Sequence, residues 1–507
     1  MTSAFPSVFP SEAGLDAQGV RGFLQRLTAD GISLDSLLVY RSGKLAFEHY
    51  WWPYRADRPH TTHSATKSFV GTAIGLALDE GLLRLDDRLV SFFPELVPPD
   101  ASEHLRAITV EDLLTMRTGH RVGLSGKTWR LLKTSWVREY LRTPVDLPPG
   151  KAFTYSSATS HMLSAIVQRT SGQSVFDYLR PRLFEPLGFA GHSWDTDPEG
   201  ICSGGNGLSL RSIDFLKWGV LHLHDGLWQG ERILPAGWVR EATAWHVQNA
   251  DAGTWNGTEF VPVSGTGADE RPEGYGYQLW LDADGGYRAS GMFGQDVFVL
   301  PQHDAVVVTT GSITHGKHRL LSGLVHDLLV PAFDGTPSTA ADSSLAADLA
   351  DVAAPALSPT SVALDGQRYE CESNEDGLSE ISFTVDDDVL VVTLDDARGR
   401  HSVRCGLSTW VESDTGVSTW QLHHSYQAES TRVLAAAQWS SPRELVLEWY
   451  FVESPFHDTV TLEFGDGQLR WHRRTNVNSG PTERPVVIAT LGQATEAGRA
   501  RPTPAVR

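Results

Sequence analysis

Two hydrophobic patterns follow each other in the first part of the chain. Residues 37–40 and 44–49 are short runs of strand-forming residues on either side of Ser42 and Gly43, a pattern that predicts a β-hairpin. After His63, apolar residues recur at helical spacing, and Gly81 is a suitable residue to end that helix. The members of this apolar stripe are Phe69, Val70, Ala73, Ile74, Ala77 and Leu78. We therefore expect a hairpin followed by a packed helix.

Helical and extended patterns continue to about residue 333. Residues 82–198 consist mostly of helical stretches that proline and glycine interrupt. Residues 277–281, 296–300 and 305–310 have the composition of strands, and turn residues separate them. This order predicts one domain of mixed helix and strand at residues 1–335.

The composition changes after residue 335. Residues 336–360 are rich in Ala, Ser, Pro and Asp, which predicts a linker with a short helix near 344–352. In residues 361–490, short β-rich runs between turn residues predict a small all-β barrel or sandwich. The tryptophans of this part are expected in its core rather than on a ligand surface. Residues 491–507 are predicted to be a flexible tail.

Composition restricts the partners of the protein. The 507 residues carry a formal net charge of -20, whereas nucleic-acid binding needs a basic surface, so we expect no nucleic-acid partner. No apolar stretch approaches the ~20 residues of a membrane span, and the first residues lack the pattern of a signal peptide. The three cysteines suit a reducing compartment, although a Cys371–Cys405 disulfide stays open. We expect a cytoplasmic protein without a membrane partner; its oligomeric state is not predicted.

The first candidate for catalytic chemistry is the tetrapeptide Ser64-Ala-Thr-Lys67. Positions three apart lie on one face of a helix, so Lys67 would be one turn from the Ser64 hydroxyl. Free amides and the helix dipole in a first turn favour a developing negative charge. A lysine in a closed pocket can lose its proton near neutral pH and act as a base. Taken alone, however, the tetrapeptide favours an ordinary helix start with a capping Ser64 and a solvated Lys67.

A second candidate is Tyr155, which follows a turn at residues 148–151 and precedes a predicted helix. From this position its phenol could relay protons between a nucleophile, a base and a leaving group. The alternative is a packed aromatic residue, with Ser157 or Thr159 as the cap of the helix.

The third candidate is the segment 289–295, which contains Ser290, Gly291 and Met292. Small residues here would let a substrate lie along the edge of a strand, and backbone amides could form one side of an oxyanion hole. The alternative is a glycine-containing hairpin connection without a role in binding.

In this order, the three segments resemble the penicillin-binding-protein and class C β-lactamase-like serine hydrolases. The resemblance runs from about residue 37 to residue 333. Stretches that support it are 82–89, 109–119, 184–188 and 204–219. It implies an α/β (α+β) fold of the β-lactamase/transpeptidase type: an antiparallel sheet flanked by helices, with a helical subdomain, here followed by the C-terminal all-β domain.

The resemblance also implies roles for individual residues. Ser64 corresponds to the nucleophile, Lys67 to the base beside it, and Tyr155 to the second proton-transfer group. The amide nitrogens of Ser64 and Met292 would donate to the oxyanion. The substrate-binding positions would be Gly291, Ser290 and Ser157.

Two motifs depart from the family pattern. The family's second motif is usually Tyr-x-Asn, whereas this chain has Tyr155-Ser-Ser157. The third motif is usually Lys-Thr-Gly or His-x-Gly, whereas this chain has Ala289-Ser-Gly291. Losing the asparagine amide and the lysine charge removes anchors for an anionic substrate, which favours neutral esters or amides. The segments 275–280 and 291–295 look closest to the branch that contains esterases and 6-aminohexanoate-dimer hydrolase.

These patterns predict a serine hydrolase that cleaves an ester or amide of a small substrate through acylated Ser64, with no cofactor and no metal. Two alternatives stay open: a catalytically silent binding or regulatory protein on the same fold, and an amidase of the β-lactamase or D-alanyl-peptidase type. A metal hydrolase is less favoured, because the pair His222 and His224 lies at the end of an apparent helix.

Overall fold

The computed structural model describes residues 4–248, 254–255, 260–261, 274–350 and 354–492. Seven of the described strands form a central antiparallel sheet. In spatial order these strands are Gly274–Tyr275, Trp280–Leu281, Tyr287–Gly291, Gln295–Leu300, Ala305–Gly311, Leu34–Arg41 and Lys44–Tyr50. An early strand therefore pairs with a late one, which brings the two ends of the domain together.

Helices cover both faces of this sheet. Helices Ala17–Ala29 and His315–Leu324 pack on one face, and helices Thr66–Asp79 and Ser212–Leu223 pack on the other. Strand Ala305–Gly311 is buried at every position, because it has helices on both sides. The predicted α/β (α+β) fold is confirmed.

A helical subdomain and several short elements complete the first domain. The subdomain helices are Leu89–Phe92, Glu103–Ala107, Val110–Leu114, Lys127–Arg130, Trp136–Arg142, Ser157–Ser171 and Val175–Leu179. The short elements are strands His60–Thr61, Ser193–Trp194, Leu208–Leu210, Leu227–Trp228, Glu231–Arg232, Thr254–Trp255 and Phe260–Val261, and helix Trp238–Ala242.

The predicted hairpin and the helix after His63 are both present, and the helix ends before Gly81, whose φ is 69°. The strand predicted at 277–281 was too long, because only Trp280–Leu281 pairs in the sheet. Gln278 turns away from the sheet with a φ of 61°, and its backbone and side-chain nitrogens both donate to the carbonyl oxygen of Leu114.

The C-terminal strands form a ten-stranded barrel. In spatial order they are Gly399–Gly406, Val389–Asp396, Glu380–Asp386, Arg368–Cys371, Val487–Leu491, Gln468–Thr475, His457–Gly465, Glu444–Tyr450, Thr431–Ser441 and Val411–Thr415. A bridge between Gly406 and Ala436 closes the ring, which makes it a barrel rather than a sandwich. Trp449 and Trp471 fill its core, whereas Trp410, Trp420 and Trp439 are partly exposed.

The segment predicted as a linker divides between the two domains. Its helix, Thr339–Ala350, packs on the first domain through buried Leu345 and an ion pair between Asp348 and Arg21. Further along, the carbonyl oxygen of Pro355 accepts a hydrogen bond from the barrel residue Trp410. Most of the predicted tail, residues 493–507, lies outside the described residues. Within the described residues, no helix has the length and apolarity to span a membrane.

Candidate active site

Ser64 lies where a 3₁₀ turn, His63–Ala65, enters the helix Thr66–Asp79. Lys67 is one turn further along the helix, and its Nζ lies 3.1 Å from the Ser64 Oγ. Ser64 is partly exposed, whereas Lys67 is 1% exposed. The Ser64 hydroxyl is therefore accessible, whereas the Lys67 amine beside it is enclosed.

The surroundings of Lys67 favour its neutral form. Its Nζ donates to the carbonyl oxygen of Gly205 over 2.7 Å and to Ser157 Oγ over 3.2 Å, and both partners are uncharged. Burial, together with the positive charge of Arg130, holds the pKa of Lys67 well below its usual range. A lysine with such a pKa can accept a proton near neutral pH.

Tyr155 lies beside both residues. Its ring stacks on Trp280 with centroids 5.4 Å apart, and Lys67 Nζ is 4.8 Å from the centre of the Tyr155 ring. Burial raises the pKa of Tyr155, and a hydrogen bond with Ser64 opposes that shift. The phenol therefore stays protonated at neutral pH, which suits it to give a proton and take another in its place.

The helix after Tyr155 is capped by Ser156, whose Oγ accepts from the amide of Thr159. The alternative that Ser157 or Thr159 is this cap was therefore wrong. Ser157 is left free to bond Lys67 instead. Gly205 was not predicted to bond Lys67, although it lies in the glycine-rich stretch of the family resemblance; a Cβ atom there would lie 2.5 Å from that of Ser157.

The third segment forms a hairpin that passes close to Ser64. Strand Tyr287–Gly291 ends beside the turn that carries Ser64. A Cβ atom on Gly291 would overlap the carbonyl oxygen of Thr62 and would lie 3.1 Å from the amide nitrogen of Ser64. Only glycine fits this approach, which places the backbone that leads into Met292 next to the Ser64 amide.

Residues from the barrel and the helical subdomain meet near this site. The guanidinium group of Arg130 donates to the carbonyl oxygen of His424, and its carbon lies 4.3 Å from the centre of the Tyr426 ring. None of these three residues was predicted from the sequence. They stand in no recognisable motif, and almost 300 residues separate Arg130 from its barrel partners.

Two buried histidines of the first domain, His161 and His222, have other partners. His161 is buried, with Nε2 3.3 Å from a carboxylate oxygen of Asp197. His222 packs on Trp218, and burial lowers the pKa of His222 to about 4. In the part of the chain that the structure describes, no three His, Cys, Asp or Glu residues are grouped to hold a metal ion.

The sheet with helices on both faces, and the neighbouring Ser64, Lys67 and Tyr155, are typical of the penicillin-binding-protein and β-lactamase class of fold. A model of the beta-lactamase family matches residues 20–328, and the chain belongs to that family. Members of this family are serine hydrolases.

The chain is similar to proteins that are named as hydrolases or esterases. Over 314 residues the chain is 25% identical to the 6-aminohexanoate-dimer hydrolase of Paenarthrobacter ureafaciens, covering 58% of this chain and 77% of that protein. It is 25% identical over 220 residues to the lovastatin esterase of Penicillium rubens, covering 32% and 55%. Among solved structures, EstCE1, a hydrolase with promiscuous acyltransferase activity, superimposes with a TM-score of 0.50 at 18% identity, covering 64% of this chain and 99% of that one.

Proposed function

We propose that this protein is a serine hydrolase that cleaves the ester or amide bond of a small, neutral substrate through an acyl-enzyme at Ser64. The observation that carries the proposal is the 3.1 Å separation between Ser64 Oγ and Lys67 Nζ, with the amine buried among uncharged partners. The names of two relatives, a 6-aminohexanoate-dimer hydrolase and a lovastatin esterase, support this assignment.

Acylation begins when neutral Lys67 takes the Ser64 proton as Oγ attacks the carbonyl carbon of the substrate. The carbonyl oxygen becomes an anion, which the amides of Ser64 and Met292 stabilise by roughly 3 kcal/mol for each donor. Tyr155 then gives its proton to the leaving alcohol or amine and regains one from Lys67.

Deacylation repeats these steps with water in place of Ser64. Lys67 or Tyr155 takes a proton from water as the oxygen attacks the acyl carbon, and Ser64 leaves with a proton. Each group ends the cycle in its starting protonation state. No metal or cofactor enters these steps.

The substrate is proposed to be neutral because the two altered motifs have no residue that would bind a negatively charged group. Ser157, in the place of the usual asparagine, bonds Lys67. The position before Ser290 is Ala289, which is fully buried and has no charge to offer a carboxylate.

The test is hydrolysis of a short-chain nitrophenyl ester by the wild-type protein and by Ser64→Ala. We expect Ser64→Ala to lose at least ~10³-fold in kcat while it keeps its melting temperature, because the nucleophile is gone and the fold is not disturbed. Ser91→Ala, the same change at an exposed serine, is the matched control and should retain full activity.

Equal rates in wild type and Ser64→Ala would contradict the proposal. If the wild-type protein hydrolyses no ester or amide and Ser64 does not react with a fluorophosphonate, the silent binding protein is the better description. Preferential turnover of a β-lactam would favour the amidase alternative.

A further inference from the structure

Five aromatic rings from the two domains meet beside Ser64. His63 and Phe293 come from the first domain, and His424, Tyr426 and Phe456 come from the barrel. The His63 ring lies 5.1 Å from Phe293 and 5.3 Å from Tyr426, and the Phe293 ring lies 5.7 Å from His424 and 5.5 Å from Phe456. These pairs are edge-to-face, an arrangement that stabilises aromatic contacts beyond the area they bury. We call this group the interdomain ring cluster.

Both first-domain members of the cluster are neighbours of a proposed oxyanion donor. His63 directly precedes Ser64, and Phe293 directly follows Met292. Both have left-handed backbones, with φ of 47° at His63 and 67° at Phe293. Residues other than glycine adopt a left-handed backbone only at a cost in free energy, so the surroundings of His63 and Phe293 must stabilise this conformation.

The barrel supplies much of those surroundings. Phe293 is fully buried and belongs to the same apolar cluster as the barrel core, and Met292 packs against that cluster. His63 is 1% exposed, and it contacts the rings of His424, Tyr426 and Phe456.

The barrel loop that carries two of the rings is itself held in place. The amide of His424 donates to Asn478 Oδ1 over 3.0 Å, and Arg130 bonds the His424 carbonyl and covers the Tyr426 ring. The loop is therefore tied both to its own domain and to the helical subdomain.

We propose that the His424–Tyr426 loop is a positioning part of the active site. Through His63 and Phe293 it holds two strained backbone segments and thereby directs the Ser64 and Met292 amides towards the oxyanion. This inference rests on the proposed function. His424 and Tyr426 act through the neighbours of the donors, so they are positioning residues.

The test is Tyr426→Ala in the full-length protein, with the nitrophenyl ester as substrate. We expect kcat to fall by about 30-fold or more while KM stays within about threefold, because the donors act on charge that develops in the transition state. Tyr426→Phe keeps the ring and should restore kcat to within about threefold of wild type.

Trp410→Ala is the matched control for loss of an aromatic ring between the domains. Trp410 packs on Trp52 at 4.7 Å, in a separate contact between the same two domains. We expect this variant to have a lower melting temperature than the wild-type protein but a kcat within about threefold of the wild-type value. Should Tyr426→Ala fail to fold, Tyr426→Leu keeps most of the volume and gives the same comparison.

Two results would overturn the positioning role: an unchanged kcat in folded Tyr426→Ala or Tyr426→Leu, or an equal loss of kcat in Trp410→Ala. Failure of the proposed function looks different, because Ser64→Ala would then be as active as the wild-type protein.

Discussion

Lys67 shows how a single residue sets the pH dependence of the proposed reaction. Its low pKa is due first to burial and then to the positive charge of Arg130. Below that pKa, Lys67 is protonated and cannot accept the Ser64 proton, so it governs the acidic limb of the kcat/KM profile. Removing the Arg130 charge raises the pKa of Lys67. We therefore expect the acidic limb of Arg130→Gln to lie at higher pH than that of the wild-type protein.

The measurement is kcat/KM for the nitrophenyl ester across the pH range in which both proteins stay folded. Arg138→Gln removes the same charge from an exposed position of the same subdomain, where solvent screens it, and should leave the profile unchanged. An acidic limb that stays in place or moves to lower pH in Arg130→Gln would contradict this account of Lys67.

At the scale of an element, the end of strand Tyr287–Gly291 sets the geometry beside Ser64. Because a Cβ atom on Gly291 would overlap the Thr62 carbonyl oxygen, Gly291→Ala must push the strand away from the turn that carries Ser64. We expect kcat to fall about 100-fold, the loss typical of one missing oxyanion donor. The measurement is steady-state hydrolysis, with the melting temperature followed in parallel.

Gly22→Ala makes the same chemical change where a Cβ atom has no neighbour within 4 Å. It lies in a helix, Ala17–Ala29, where alanine is favoured over glycine, so this control should keep full activity and gain slightly in stability. If Gly291→Ala were as active as Gly22→Ala, the close approach of strand and turn would have no catalytic role.

At the scale of the whole molecule, a buried cluster of charged residues in the barrel lies next to the contact between the two domains. The cluster consists of Asp458, His423 and Arg473. Asp458 is fully buried and bonds His423 and Arg473, each over 2.8 Å. These two partners hold the pKa of Asp458 below its usual value against the effect of burial. His423 also stacks on Phe456, a member of the interdomain ring cluster, so loosening the barrel core would reach the active site.

Arg473→Met leaves the buried Asp458 carboxylate without one of its two partners, and we expect it to lower the free energy of unfolding by about 3–5 kcal/mol. Arg470→Met is the control: its partner Glu463 is exposed, and such a pair contributes less than about 1 kcal/mol. Denaturant unfolding monitored by tryptophan fluorescence measures both. Equal stabilities of the two variants would show that the buried cluster does not stabilise the barrel.

The Asp458 cluster also predicts how stability depends on pH. The pKa of Asp458 is lower in the folded state than in the unfolded state. The contribution of Asp458 to the free energy of unfolding is therefore fully present above its unfolded-state pKa of about 4. The contribution is lost as the pH falls through the folded-state pKa. Acid unfolding of the wild-type protein should therefore be steeper than that of Arg473→Met.

Local pattern determined much of this protein. The period of apolar residues was enough to place the hairpin at Leu34–Tyr50 and the helix Thr66–Asp79, because helices and hairpins depend on residues close together in the chain. The Ser64 and Lys67 pair was predictable for the same reason, since one turn of one helix brings them together. The change of composition after residue 335 likewise indicated a second, all-β unit.

Tertiary structure alone decided the rest. The carbonyl of Gly205 reaches Lys67 from 138 residues away, and Arg130 meets His424 across 294 residues. Such contacts depend on how whole elements and domains dock, and they leave no period or motif in the sequence. The surroundings that lower the pKa of Lys67, and the barrel rings that lie beside the proposed oxyanion donors, are therefore properties of the folded molecule.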